Sequence, residues 1–259
     1  MQHKSKFSLY VFAATLVFFY LPLLILLVFS FNDGKALSWQ GFTWRWYTEL
    51  FLYSRPLWEA IQKSIFICLF SSAIATVIGT LGAIGLYWYK VKYKKYLQAI
   101  TYLPLIIPEI IIGVALLIFF SGIKMPLGLV TIFLAHTTFN IPFVLFIVLA
   151  RIQEFDFSIV EAAYDLGARE IDALLKVIVP MLFPAILSGF LMAMTLSLDD
   201  FVITFFVAGP GSSTLPLHIY SMIRYGVSPV INALSVVLIV GTILLTASTS
   251  KMHKYMFKD

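Results

Sequence analysis

The sequence predicts an all-α membrane protein with six transmembrane helices, and three observations carry that prediction. The 259 residues are 61% hydrophobic and 12% charged, about half the charge of an average soluble domain. Mean hydropathy is +0.95. Six stretches, roughly 9–31, 64–88, 99–120, 127–150, 184–208 and 231–250, each reach the ~20 mostly apolar residues that a bilayer-crossing helix needs. The net charge of +5 raises the question of nucleic acid. The basic residues, however, fall in short clusters between apolar runs rather than along one face, so membrane lipid is the expected partner and nucleic acid is not. No repeat or low-complexity tract divides the chain, and residues 1–259 read as one membrane domain. The single cysteine, Cys68, lies in an apolar run and permits neither an internal disulfide nor a Cys-rich metal site. No cofactor or metal is expected.

Taken in order, the first span follows Lys4 and Lys6. Its apolar run is too long for a secretory signal and Phe31-Asn32-Asp33 offers no small-residue cleavage site, so it should persist as a helix. Span two carries Ser72, Ala75, Thr76, Gly79 and Ala83 at three- and four-residue intervals, with Gly82 and Gly85 beside them. Small residues at that spacing let helix backbones approach closely, so this is a packing stripe. Span three contains Pro104, Pro108 and Glu109. In span four, His136, Thr137, Thr138 and Asn140 read as interhelical hydrogen-bonding groups, with Pro142 as a bend. His136 has no catalytic or metal partner at a recognisable spacing.

Orientation follows from Lys and Arg. Lys4 and Lys6, the cluster Lys90, Lys92, Lys94 and Lys95, and the tail residues Lys251, Lys254 and Lys258 mark the cytoplasmic face, which places both termini there. The loop with Arg151, Arg169 and Lys176 falls on that side by alternation despite its acids Glu154, Asp156, Glu161, Asp165, Glu170 and Asp172. Outside lie residues 32–63, a tight turn at Lys124-Met125-Pro126, and residues 209–230. Trp39, Trp44, Trp46 and Tyr47 suit the headgroup level. Gly209-Pro210-Gly211 breaks the chain, and Ser228-Pro229 reads as the cap and first turn of the last helix.

The cytoplasmic loop, about 151–183, is too polar to span and too periodic to be disordered. Ser158 and Glu161 form a capping-box pattern, and Gly167 suits a left-handed helix end. A second short helix should run from about 169 to 179 and stop at Pro180, with Pro184 starting the fifth span. Ala162 and Ala163 keep the first helix's surface low enough for another backbone to approach.

Glu161-Ala162-Ala163, three residues, Gly167, nine residues, then Val177-Ile178-Val179-Pro180 resembles the EAA loop of binding-protein-dependent ABC importers, written EAA-x3-G-x9-I-x-L-P, with valine replacing isoleucine and leucine. The resemblance implies a MetI-like type I ABC importer permease whose loop is a coupling helix, seated on a separate cytoplasmic ATPase dimer through Glu161, Ala162, Ala163 and Gly167, with Glu170 and Arg169 as further contacts. The chain itself has no G-x-x-x-x-G-K-[ST] stretch with which to cradle a phosphate. It is expected to be a transporter subunit, not an enzyme.

Three acids lie inside apolar spans, Glu109 and the adjacent pair Asp199-Asp200. Each costs about 2.5–3.5 kcal/mol at mid-bilayer unless it faces protein or water. No lysine or arginine inside a span can neutralise them. On a continuous helix, Ser197, Asp200 and Thr204 share one face and Asp199 an adjoining one with Thr195. Spaced carboxylates suit an organic polycation, with aromatic faces such as Trp46, Tyr220 or Tyr225 adding cation–π attraction. A proton relay and an interhelically bonded neutral Asp are the other readings of the pair.

Ser30-Phe31-Asn32, Trp39 to Thr43, Leu196 to Phe201, and Leu215 to Met222 through Gly226-Val227-Ser228-Pro229 are similar to the permease subunits of spermidine/putrescine importers. That resemblance implies a second homologous permease, an ATPase dimer and a periplasmic polyamine-binding protein docking on 32–63 and 209–230, in a bacterial inner membrane. By position it implies that Trp46, Glu109, Ser197, Asp199 and Asp200 bind polyamine, although the family often carries Asp where Glu109 stands. An importer of another solute, ferric ion or thiamine, and a proton-coupled cation carrier are the competing expectations.

Overall fold

The computed structural model describes residues 6–34, 38–88, 93–224 and 229–256, with side chains of the last helix described to residue 244. Lys4, Lys90, Lys92, Tyr225, Ser228 and Lys258, and the side chains of Lys6, Lys251 and Lys254, lie outside the described residues, and with them the helix start expected at Ser228. Among the described residues everything regular is helical, apart from one antiparallel bridge between Asn32 and Phe42. Four helices, 7–29, 55–88, 129–153 and 170–199, are long and apolar enough to cross a membrane, and a bent pair makes up to five. Val230–Leu244 adds a shorter apolar stretch. The chain groups into two compact units, 1–56 with 219–259, and 57–218.

In the first unit, α1 (Lys6–Phe29) packs with α12 (Val230–Met256). None of α1's apolar window is buried within the chain, as expected of a helix whose solvent is lipid. After it, Asp33 donates to the Gly41 carbonyl and Thr43 to that of Phe31, closing a small hairpin. Asn32 staples the hairpin from inside: its Nδ2 donates to the Ser38 carbonyl at 2.9 Å and its Oδ1 accepts the Gln40 amide at 2.7 Å. Phe31, Phe42, Trp44 and Tyr47 cluster with ring centroids 4.9–5.8 Å apart. A short helix α2 (Arg45–Thr48) then runs into a π turn at Glu49–Tyr53.

In the second unit, α3 (Arg55–Trp88) starts well before residue 64. Its first turns bury Leu57 and Ala60 while Lys63 reaches the Gly211 carbonyl at 2.8 Å, a mixed pattern that hydropathy alone does not register. The small-residue stripe faces α6 (Leu129–Gln153): a Cβ on Gly79 would stand 2.9 Å from Val144 Cβ and 3.0 Å from the Ile141 carbonyl. Ser72, Ala75, Thr76, Gly79 and Ala83 are all buried. Val144 also meets Gly189, which would present a Cβ 3.1 Å away. With lipid tails as apolar as leucine, this close fit, rather than a hydrophobic drive, holds such helices together. The expected hydrogen bonding of span four is corrected at three of its four residues. Thr137 and Thr138 turn back to carbonyls of their own helix, at Phe133 and Leu134, the usual resort of a helical threonine. Neither amide atom of the buried Asn140 has a partner among the described residues.

Two expected spans are broken. Span three is a pair, α4 (Lys94–Ile106) and α5 (Glu109–Gly122), bent by 107°. Pro108 disfavours the helical conformation at Ile107, whose ψ is 132°, and offers no amide to continue the ladder. Its carbonyl accepts the Ile111 and Ile112 amides and so starts α5. Span five divides into α9 (Val179–Asp199) and α10 (Val202–Val207), with Asp200 extended at ψ 117°.

Where the loop was expected to break, the helix continues. After α7 (Ser158–Asp165), α8 (Glu170–Ala173) passes through a π turn at Leu174–Ile178 directly into α9. Pro180 would clash with a carbonyl one turn back and lacks an amide; the widened turn shifts the pairing register before it, so the proline does not end the helix. α11 (Leu215–Arg224) follows the Gly211 turn.

Candidate functional site

The two broken helices open on the same space. A cavity of about 360 Å³ is lined from the first break by Ile107, Pro108 and Glu109, and from the second by Asp199, Asp200 and Phe201; Phe139 and Phe143 of α6 form an aromatic wall. Three of the five residues expected to bind polyamine, Glu109, Asp199 and Asp200, thus meet at one place. They differ sharply in their surroundings. Glu109 sits at the first position of α5 and Asp199 at the last of α9, both exposed. Neither carboxylate has an ion-pair partner among the described residues.

Asp200 is 8% exposed and saturated. Its Oδ1 accepts the Ile203 amide at 3.1 Å, and its Oδ2 accepts the Thr204 amide at 2.8 Å and the Thr204 hydroxyl at 2.7 Å. It therefore does what a capping carboxylate does, satisfying amides at the start of α10 that would otherwise be orphaned in a dry setting. His136 Nε2 stands 3.1 Å from the same Oδ2 and 2.9 Å from Thr204 Oγ1, while Nδ1 is 2.7 Å from Ser197 Oγ. Ser197, 5% exposed, lies behind the cavity rather than on its wall, and its hydroxyl continues to Ser71 at 3.4 Å. The expectation that all three acids lack a fixed basic companion is thus corrected for Asp200. The interhelical hydrogen bonding expected of His136 is present, since Ser197, Asp200 and Thr204 all converge on it.

Trp46, described within the other unit, is 5% exposed. Its indole N–H donates to the Asn32 carbonyl at 2.7 Å and the Arg45 guanidinium lies 5.3 Å from its ring centroid. The ring is packed and already has a cation, which corrects its expected availability to substrate. Tyr220 on α11 is 39% exposed.

In the loop, Gly167 has φ +86°, its amide bonds the Tyr164 carbonyl at 2.8 Å, and Ala168 bonds that of Ala163 at 3.0 Å. This paired closure needs a left-handed residue, which is why a glycine stands there. The start of α7 is corrected: the Ser158 amide donates to Asp156 Oδ1 at 3.0 Å, so the aspartate two residues back, rather than a Ser158–Glu161 box, satisfies it. That bond holds the Asp156 carboxyl below its usual range. α7 is anchored by buried Val160 and by Phe157, which stacks on Tyr87 at 5.0 Å. Glu161, Ala162, Gly167 and Glu170 remain exposed, Ala163 partly so, and Leu166 is 90% exposed. Arg169 and Lys176 both bond Asp172, at 2.8 Å each.

Residues 75–258 match the family model of the binding-protein-dependent transport system inner membrane component. The chain belongs to that family. It is a multi-pass inner-membrane transport subunit. It is 38% identical over 237 residues to the spermidine/putrescine transport system permease protein PotC of Escherichia coli K12, covering 91% of this chain and 89% of that protein. It is 40% identical over 229 residues to PotC of Haemophilus influenzae, covering 88% and 89%. Its fold is similar to that of a bacterial ABC transporter that imports the acidic polysaccharide alginate, with TM-score 0.75 and 15% identity over 97% of this chain and 98% of that one. It also resembles the MetNI methionine ABC transporter, with TM-score 0.62 and 19% identity over 81% and 98%.

Proposed function

We propose that this chain is one permease of an ATP-driven polyamine importer, and that Glu109 and Asp199 are the carboxylates that meet the substrate's ammonium groups. The observation that carries the reading is the cavity with two exposed, unpaired acids on separate helix breaks. An isolated charge at membrane depth is costly, and two of them facing one space call for a cation that arrives and leaves. Phe139, Phe143 and Phe201 suit the methylenes and ammoniums of such a molecule. The PotC relatives carry spermidine and putrescine in their names, which supports the same substrate class here.

In this reading residues 1–259 act as one six-span domain with cytoplasmic termini, in which the α4–α5 pair and α12 complete the count. The exposed residues Glu161, Ala162, Ala163, Gly167 and Glu170 form the EAA coupling surface for a separate ATPase dimer. A second permease supplies the other half of the path, and a periplasmic polyamine-binding protein docks on 32–63 and 209–230. Asp200 and Ser197 belong to the site's frame, and Trp46 to the hairpin beneath the docking face.

The test is radiolabelled uptake by the assembled transporter in cells that lack other polyamine uptake. Glu109→Gln and Asp199→Asn should each raise the KM for spermidine and putrescine by about tenfold or more, with the complex still copurifying. Unchanged KM values in both variants, or competition by ferric ion or thiamine but not by polyamine, would overturn the assignment.

A further inference from the structure

We propose that His136 sets how many negative groups the cavity offers, by holding Asp200 back from the substrate. It is a positioning and specificity-determining residue. The inference rests on the polyamine reading above and asks what that reading leaves unexplained: three acids line the cavity, yet only two are available to a ligand.

The hydrogen bonds fix the roles. Thr204's hydroxyl donates to Asp200 Oδ2 at 2.7 Å, so the hydroxyl oxygen is left as an acceptor for His136 Nε2 at 2.9 Å. Nε2 therefore carries a hydrogen, shared between Thr204 and Asp200 Oδ2 at 3.1 Å. The other ring nitrogen is held at 2.7 Å by Ser197 Oγ, so the imidazole cannot turn away. Edge contact with Phe139, 5.3 Å between ring centroids, seats the ring behind the cavity's aromatic wall. Asp200 Oδ2 thus has three donors, and its neighbour Asp199, one residue earlier on the cavity side, has no ion-pair partner among the described residues. Asp200 nonetheless contributes to the cavity lining. Removing the imidazole takes away the one donor that comes from outside α10, so that the carboxylate is held by the Ile203 and Thr204 groups alone and can swing about that cap toward a bound cation.

The consequence is a change in valence rather than a uniform loss. With Asp200 held, Glu109 and Asp199 offer two charges, matched to a diamine. With Asp200 released, a third charge becomes available, and a triamine gains more than a diamine does.

The experiment measures KM for spermidine and for putrescine in the complete transporter, with assembly followed by copurification of its partner chains. In His136→Leu the ratio of KM for spermidine to KM for putrescine should fall by about fivefold to tenfold. His136→Asn, whose shorter amide does not reach Asp200, should shift the ratio in the same direction and serves if the leucine variant does not assemble. His136→Gln, which restores a donor at nearly the original reach, should return the ratio toward wild type. Adding Asp200→Asn to the shifted variant should remove the shift. A ratio unchanged in the assembled His136→Leu or His136→Asn protein, or a shift that persists without the Asp200 charge, overturns the proposal. If Glu109→Gln and Asp199→Asn also leave both KM values untouched, the substrate reading itself has failed; if those two variants lose affinity and only the His136 ratio is unmoved, the failure is confined to His136.

Discussion

The two helix breaks around the cavity reach a similar outcome by different chemistry. Between α4 and α5 the break rests on a proline: Pro108 lacks an amide and disfavours a helical Ile107. Between α9 and α10 the residues are all capable of helix, and the break exists because Asp200's carboxylate competes for the Ile203 and Thr204 amides. A proline break is written into the chain locally, whereas a carboxylate break depends on a side chain 64 positions away, His136, which helps keep the carboxylate in place.

The comparison is broken most severely at Asp200. Asp200→Ala strips the cap from α10 and takes from His136 Nε2 one of its two acceptors, leaving Thr204 Oγ1. Losing such a buried cap costs on the order of 1–2 kcal/mol, so the purified transporter should melt below wild type and lose uptake. Pro108→Ala sharpens the contrast from the other side, because it restores a backbone amide without touching a charge. The complex should stay stable while the KM for polyamine rises about fivefold, roughly 1 kcal/mol, as Glu109 loses its fixed bearing. A melting temperature lowered as far as in Asp200→Ala would show that the two breaks are equivalent after all.

Both breaks were only half legible in the sequence. Pro108 beside Glu109 announces an interruption, because proline's effect is local. Asp200 does not, since a 3.6-residue period drawn through Ser197, Asp200 and Thr204 places them correctly on one side whether or not the helix continues. Their meeting with His136 is a pairing over 61 to 68 residues, which no local pattern encodes. Gly167 was legible because a left-handed helix end selects glycine by itself. Trp46 was misread because composition places an aromatic near the headgroups without saying which side of a hairpin it covers.

The smallest effect belongs to the start of α7, where another carboxylate works in the open. Asp156's pKa lies below its usual value because the Ser158 amide bonds the ionised form. A depressed folded-state pKa contributes stability that is present above the ordinary carboxylate range and lost as pH falls through the lowered value. Amide exchange at Ser158, corrected for its intrinsic pH dependence, should therefore lose protection on acidification in the wild type and be unprotected throughout in Asp156→Ala. Protection that is insensitive to both would remove the cap from the account. As the group is solvated, the rest of the molecule should not register the change.

The π turn at Leu174–Ile178 has a mechanical corollary. By widening one coil ahead of Pro180, it lets a single 30-residue rod run unbroken from Glu170 to Asp199, a length of roughly 45 Å at an α-helical rise. In the importer proposed above, a displacement of the exposed lip beside Gly167 would be passed along one continuous shaft whose far tip is the Asp199 carboxylate at the cavity.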